Sequence, residues 1–85
     1  MKILHISKVG EDDVTYNLST CNFFHKGPAH NIVIQYGNGA VTIQLSSSDA
    51  ADAVYKAMNN FCSLDEKHSM CLFIHENGSV VVTMQ

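Results

Sequence analysis

Apolar and polar residues alternate at period two along most of this chain, the spacing of strands with one face buried. Between Met1 and Val9, Leu4 and Ile6 fall on one side and Ile3, His5, Ser7 and Val9 on the other. After a turn at Gly10-Glu11-Asp12-Asp13, Val14, Tyr16 and Leu18 recur with polar residues between them, a strand that can be followed toward Phe24. It must stop before Gly27-Pro28, because proline brings no N–H to a ladder. Ile32, Ile34 and Tyr36, then Val41, Ile43 and Leu45, flank Gly37-Asn38-Gly39, and Asn-Gly supplies the positive φ of a tight hairpin. The same grammar returns where Ser69 to His75 and Ser79 to Met84 flank Glu76-Asn77-Gly78.

Only Ser48 to Phe61 has helical spacing. Ala50, Val54, Ala57, Met58 and Phe61 make one apolar stripe, with Ser48 or Asp49 placed to cap the first turn. The predicted class is α+β: a mostly antiparallel six-stranded sheet, β-β-β-β-α-β-β, with one helix on one face. Six strands spaced ~4.8 Å apart are far wider than a helix of ~10 Å diameter. The sheet must therefore curl toward a barrel or share its open face with another surface. The last hairpin needs cover most, since Met70, Leu72 and Ile74 point one way and Cys71 and Phe73 the other, while Val81 opposes Val80 and Val82.

The 85 residues amount to one domain, small enough that folding hides only ~60 to 65% of the unfolded chain's surface. Asp, Glu, Lys and Arg together are 15%, against the ~25% usual in soluble domains, so much of the exterior is uncharged. Such a surface suits contact with protein. The net charge is −3 and the five lysines are scattered, which argues against nucleic-acid binding through phosphates. No run of ~18 apolar residues is present to span a membrane. Three cysteines and no leader ahead of the first strand predict a reduced, cytoplasmic protein.

Candidate chemistry is sparse. His25 and His30 have the H-x4-H spacing of some zinc sites and lie near Cys21, but no C-x2-C pair exists and Pro28 separates the two histidines. No metal site or cofactor is assigned. Cys21 with His25 or His30 has the residue types of a thiol catalyst without a spacing that joins them, and Cys71, inside an apolar strand, reads as inert core. His5-Ile6-Ser7 is half of a two-histidine phosphoesterase pattern, and no second half occurs. No catalytic residue is assigned.

Two contact surfaces follow. The segment Phe23, Phe24, His25, Lys26, with His30 beyond the proline, reads as a loop carrying adjacent aromatics and a cation, a candidate partner-binding loop. Phe73, Val81, Cys71 and Thr83, on the uncovered side of the last hairpin, form a candidate self-interface. The expected function is a non-catalytic, oligomeric module that binds another protein. By class alone, compact acidic domains without catalytic residues resemble the small inhibitors that phages and mobile elements direct at host enzymes, anti-CRISPR proteins among them. The alternatives are a small-molecule or nucleotide sponge enclosed by an oligomer interface, and a zinc-supported structural domain.

Overall fold

Alternating segments become seven strands rather than six, in the order β1 (Ile3–Lys8), β2 (Val14–Asn17), β3 (Phe23–Gly27), β4 (Asn31–Tyr36), β5 (Gly39–Gln44), α1 (Ser48–Ser63), β6 (Ser69–Ile74) and β7 (Val80–Met84). This computed structural model describes all 85 residues. The strands form two sheets, β2-β1-β6-β7 and β3-β4-β5, so the α+β class holds while the single six-stranded sheet does not, and neither sheet closes into a barrel. All pairings are antiparallel except β1 with β6.

The division falls where the sequence pattern ran on. Asn17 Oδ1 accepts the Ser19 N–H at 2.9 Å, the Thr20 hydroxyl donates to the Asn17 carbonyl at 3.2 Å, and the Cys21 thiol donates to the Leu18 carbonyl at 3.2 Å. These side chains offer the backbone a turn in place of a ladder, so β2 ends at Asn17 and the chain crosses to the second sheet. The Tyr36 hydroxyl, donating to the Asn17 carbonyl at 3.1 Å, ties the sheets together at this crossing.

Ser47 caps the helix, one residue ahead of the expected position, its hydroxyl accepting the Ala50 N–H at 3.1 Å. The face that reaches the core is Ala51, Val54, Met58 and Phe61, with Ala50 and Ala57 half-buried beside it. No basic residue lies in the last turn, and Lys2 of the first strand region supplies the missing cation. Its ammonium donates to the Leu64 and Lys67 carbonyls and lies 4.8 Å above the Phe61 ring, so a lysine far away in sequence closes the helix's negative end.

The helix touches β6 and β7 of one sheet and β3 and β4 of the other, and a single cluster of buried side chains joins all three layers. Leu4, Ile6, Met70, Leu72 and Ile74 from the four-stranded sheet meet Ile32, Ile34 and Ile43 from the three-stranded one. Splitting the strands into two sheets solves the cover problem for the inner faces. Each sheet and the helix shelter the others, and no wide sheet is left to a lone helix.

The β4–β5 hairpin forms as predicted, with Tyr36 opposite Gly39, but Gly37-Asn38 is its two-residue loop and the positive φ falls on Gly39 at 151°. The β3–β4 turn is more strained. Ala29 and His30, after Pro28, both occupy the left-handed region at φ 56° and 63°. That region costs an L-residue about 1–2 kcal/mol, whereas glycine gives back part of the gain as unfolded-state entropy. Ala29→Gly is expected to raise stability by about 0.5–1 kcal/mol. Urea unfolding checks this: an unchanged or lower midpoint would show that the turn carries no such strain.

Candidate functional site

The parity of β1 and of the last hairpin puts a surface of uncharged residues on the outward side of the four-stranded sheet, with Asp13 at its β2 rim. Strand registers build it in rows. Thr15, His5, Cys71 and Thr83 follow one another across β2, β1, β6 and β7, and Ser7, Phe73 and Val81 make the next row. Ile3 and Ser69 lie beyond, and Val9 and His75 extend the two central strands. None of these residues is Asp, Glu, Lys or Arg. Phe73 stays 39% exposed although its strand neighbours Leu72 and Ile74 are buried, and Val81 is 48% exposed between the half-buried Val80 and Val82.

The four residues expected at a self-interface, Phe73, Val81, Cys71 and Thr83, are thus two directly paired couples on one open face: Cys71 opposite Thr83 and Phe73 opposite Val81. The reading of Cys71 as core is corrected, since the thiol stands on the outward face and is exposed. A hairpin with apolar residues on both sides has only its Met70, Leu72 and Ile74 side covered. His5 Nδ1 lies 3.1 Å from the Thr15 hydroxyl, and the His75 ring meets Phe73 edge-on at 4.7 Å. A shallow depression of about 360 Å³ runs between β2 and β6, bordered by His5, Ser7, Asp13, Thr15, Cys71 and Phe73.

The predicted partner-binding loop is corrected to a strand. Phe23–Gly27 is β3, an edge of the three-stranded sheet, because its residues pair in register with Asn31–Tyr36. Strand alternation then separates the group. Phe24 turns inward, half-buried and edge-on to Tyr55 of the helix at 5.9 Å. Lys26 reaches the same helix, with its ammonium 2.6 Å from Asp52 and 5.7 Å over the Tyr55 ring. Phe23, 56% exposed, and His25 face outward with rings stacked at 5.8 Å, while His30 stands apart in the turn. The hydrogen bond from Lys26, then its charge, holds the Asp52 carboxyl below its ordinary range. The depressed value means that the pair favours the fold above the ordinary aspartate pKa and that this contribution fades as pH falls through the folded value.

The thiol chemistry runs against activation. Burial pushes the Cys21 and Cys62 thiols up, and a raised pKa leaves less thiolate for attack or ligation. All three cysteines are free, and no three His, Cys, Asp or Glu side chains converge. No helix is long and apolar enough to cross a membrane. Strand parity located the outward face in the sequence. The role of Lys2 gave no local signal, since its partners lie more than sixty residues away.

This geometry defines an α+β domain of two sheets and one helix, with one open face on which Asp13 at the rim is the nearest charge. No protein-family model, curated protein or solved structure matches the chain.

Proposed function

We propose that this chain is a non-catalytic, oligomeric protein-binding module that acts by occluding a surface on another protein, as small phage and mobile-element inhibitors of host enzymes do. One observation carries the reading: the outward face of β2-β1-β6-β7 holds Phe73, Val81 and Val9 exposed among uncharged polar side chains. Apolar groups left in water beside hydroxyls, imidazoles and a thiol, with few charges to desolvate, are what a protein contact gains most from. Phe73 is the anchor at the centre of that face. Phe23 and His25 on β3 form a second, smaller contact.

The test uses the immobilised chain against a host lysate, with Phe73→Asp and Phe23→Ala compared with the natural sequence. Phe73 is exposed enough for Phe73→Asp to cost about 1 kcal/mol or less, so the variant stays folded. A specific protein captured by the natural chain and by Phe23→Ala is expected to be lost with Phe73→Asp, because a buried interface charge costs several-fold to a hundredfold in affinity. Equal capture by all three chains would overturn the assignment of this face. Loss with Phe23→Ala alone would move the contact to β3.

A further inference from the structure

Each sheet has two edge strands, and an edge exposes a row of unpaired backbone N–H and C=O groups that another strand can pair with in ladder geometry. Three of the four edges are obstructed. β3 carries Lys26, tied to Asp52, and ends at Gly27-Pro28. β2 is only four residues long and follows Glu11-Asp12-Asp13, and it shares with β5 a depression of about 170 Å³ bordered by Lys8, Glu11 and Asp12, so a strand approaching either edge there meets charged side chains.

β7 has none of these obstructions: Val80-Val81-Val82-Thr83-Met84 holds no charge and no proline. Ser79 accepts the His75 N–H, and Gln85 and Ser69 exchange a pair of hydrogen bonds, so both ends of β7 are bonded to the β6 side. Antiparallel pairs alternate, so Val81 and Thr83 also point their backbone groups at β6, and those of Val80, Val82 and Met84 point away from it. The side chains tell the same story. Val80, Val82 and Met84 are on the inner face but only half-buried, whereas Met70, Leu72 and Ile74 beside them on β6 are at most 3% exposed. The core is finished at β6 and left open at β7.

We propose that two copies of the chain join edge to edge through β7, antiparallel about Val82, merging their four-stranded sheets into one. This deepens the reading of an oligomeric binding module, on which it rests, by naming the self-contact as a strand seam. The free groups are self-complementary: Val80 meets Met84 of the partner subunit, Val82 meets its own counterpart, and about six backbone hydrogen bonds form. No charge opposes another in this register. Val80, Val82 and Met84 gain the cover they lack, and Phe73 and Val81 of both copies remain on one continuous outward face.

Sedimentation equilibrium of the full chain is expected to give about twice 9.4 kDa. Val82→Pro removes an N–H that bonds to nothing within the chain and places a ring in the seam, and is expected to give the monomer mass with the natural circular dichroism spectrum. A dimer that survives Val82→Pro, or a natural chain that is monomeric throughout, would overturn the seam. Phe73→Asp separates the two proposals, because Phe73 lies on β6 and the seam predicts an unchanged dimer. A monomer from Phe73→Asp with a dimer from Val82→Pro would mean face-to-face pairing, sinking the seam and sparing the face.

Should Val82→Pro fail to fold, cross-linking decides. With the natural cysteines replaced by serine, Val81→Cys and Thr83→Cys oppose each other across the seam at about 4.5 Å between Cα atoms, within disulfide reach. A mixture of the two single variants is expected to cross-link under mild oxidation and neither alone. Equal cross-linking in all three samples, or none in the mixture, would refute the register.

Discussion

Phe61→Ala is expected to remove a large part of the stability of this domain, about 3–5 kcal/mol. The ring is fully buried, the largest of the side chains with no exposed surface, and sits in the cluster that joins the helix to both sheets. Truncation leaves a void bounded by elements that are each held by other contacts, so the walls have little freedom to collapse. A second loss follows from Lys2, whose ammonium rests 4.8 Å from the ring centre while donating to the Leu64 and Lys67 carbonyls. Without the ring the cation keeps its acceptors but loses its platform, and the helix end frays. A domain of this length has about 4–13 kcal/mol in total, so the midpoint of thermal unfolding is expected to fall by more than about ten degrees. Phe73→Ala is the control. Its ring is 39% exposed and its removal is expected to cost under about 1 kcal/mol. Urea titrations giving equal midpoints for both variants would refute the division into a packed inner face and an open outer one.

That division was legible in the sequence because strand parity is local. Leu4 and Ile6 inward with His5 outward, or Leu72 inward with Phe73 outward, need only the period-two rule, and the structure follows it. The helix was legible for the same reason, within one or two residues at each end. Sheet membership was not. Whether β3 continues β2 depends on a few side chains around Asn17 that can bond to nearby backbone, a choice that hydrophobic spacing does not encode. The parallel pairing of β1 with β6 joins segments more than sixty residues apart, and nothing local marks it.

The split changed what the missing cover means. A single wide sheet would have needed outside help to close its core. Two sheets and a helix close it alone, except along β7, so what remains open is a surface and an edge rather than an unfinished interior. The functional proposals inherit that geometry. Phe24 and Lys26, expected on a contact loop, are spent on Tyr55 and Asp52 of the helix, leaving Phe23 and His25 on the outside.

Gly78→Ala is expected to have the other large effect, about 2–4 kcal/mol, through two separable causes. The residue has φ 89°, which an L side chain adopts only at a cost of about 1–2 kcal/mol. A Cβ there would also stand 2.4 Å from the Ser46 Oγ and 2.6 Å from the Ser46 Cβ. The hydroxyl can rotate away but the Cβ cannot, so backbone must move. Ser46 ends the link from β5 to the helix cap, and its hydroxyl donates to the Gly78 carbonyl at 3.0 Å, docking the tip of the β6–β7 hairpin onto the start of α1. Lifting that tip would tilt β7, and with it the proposed seam, off the helix it packs against. A double-mutant cycle separates the causes. Ser46→Gly alone forfeits a modest exposed hydrogen bond, about 0.5–1 kcal/mol, but in the double variant it removes the obstructing atoms and is expected to return about 1–2 kcal/mol to Gly78→Ala. Strictly additive losses would show that the tip does not rest on Ser46 and that backbone conformation alone requires the glycine.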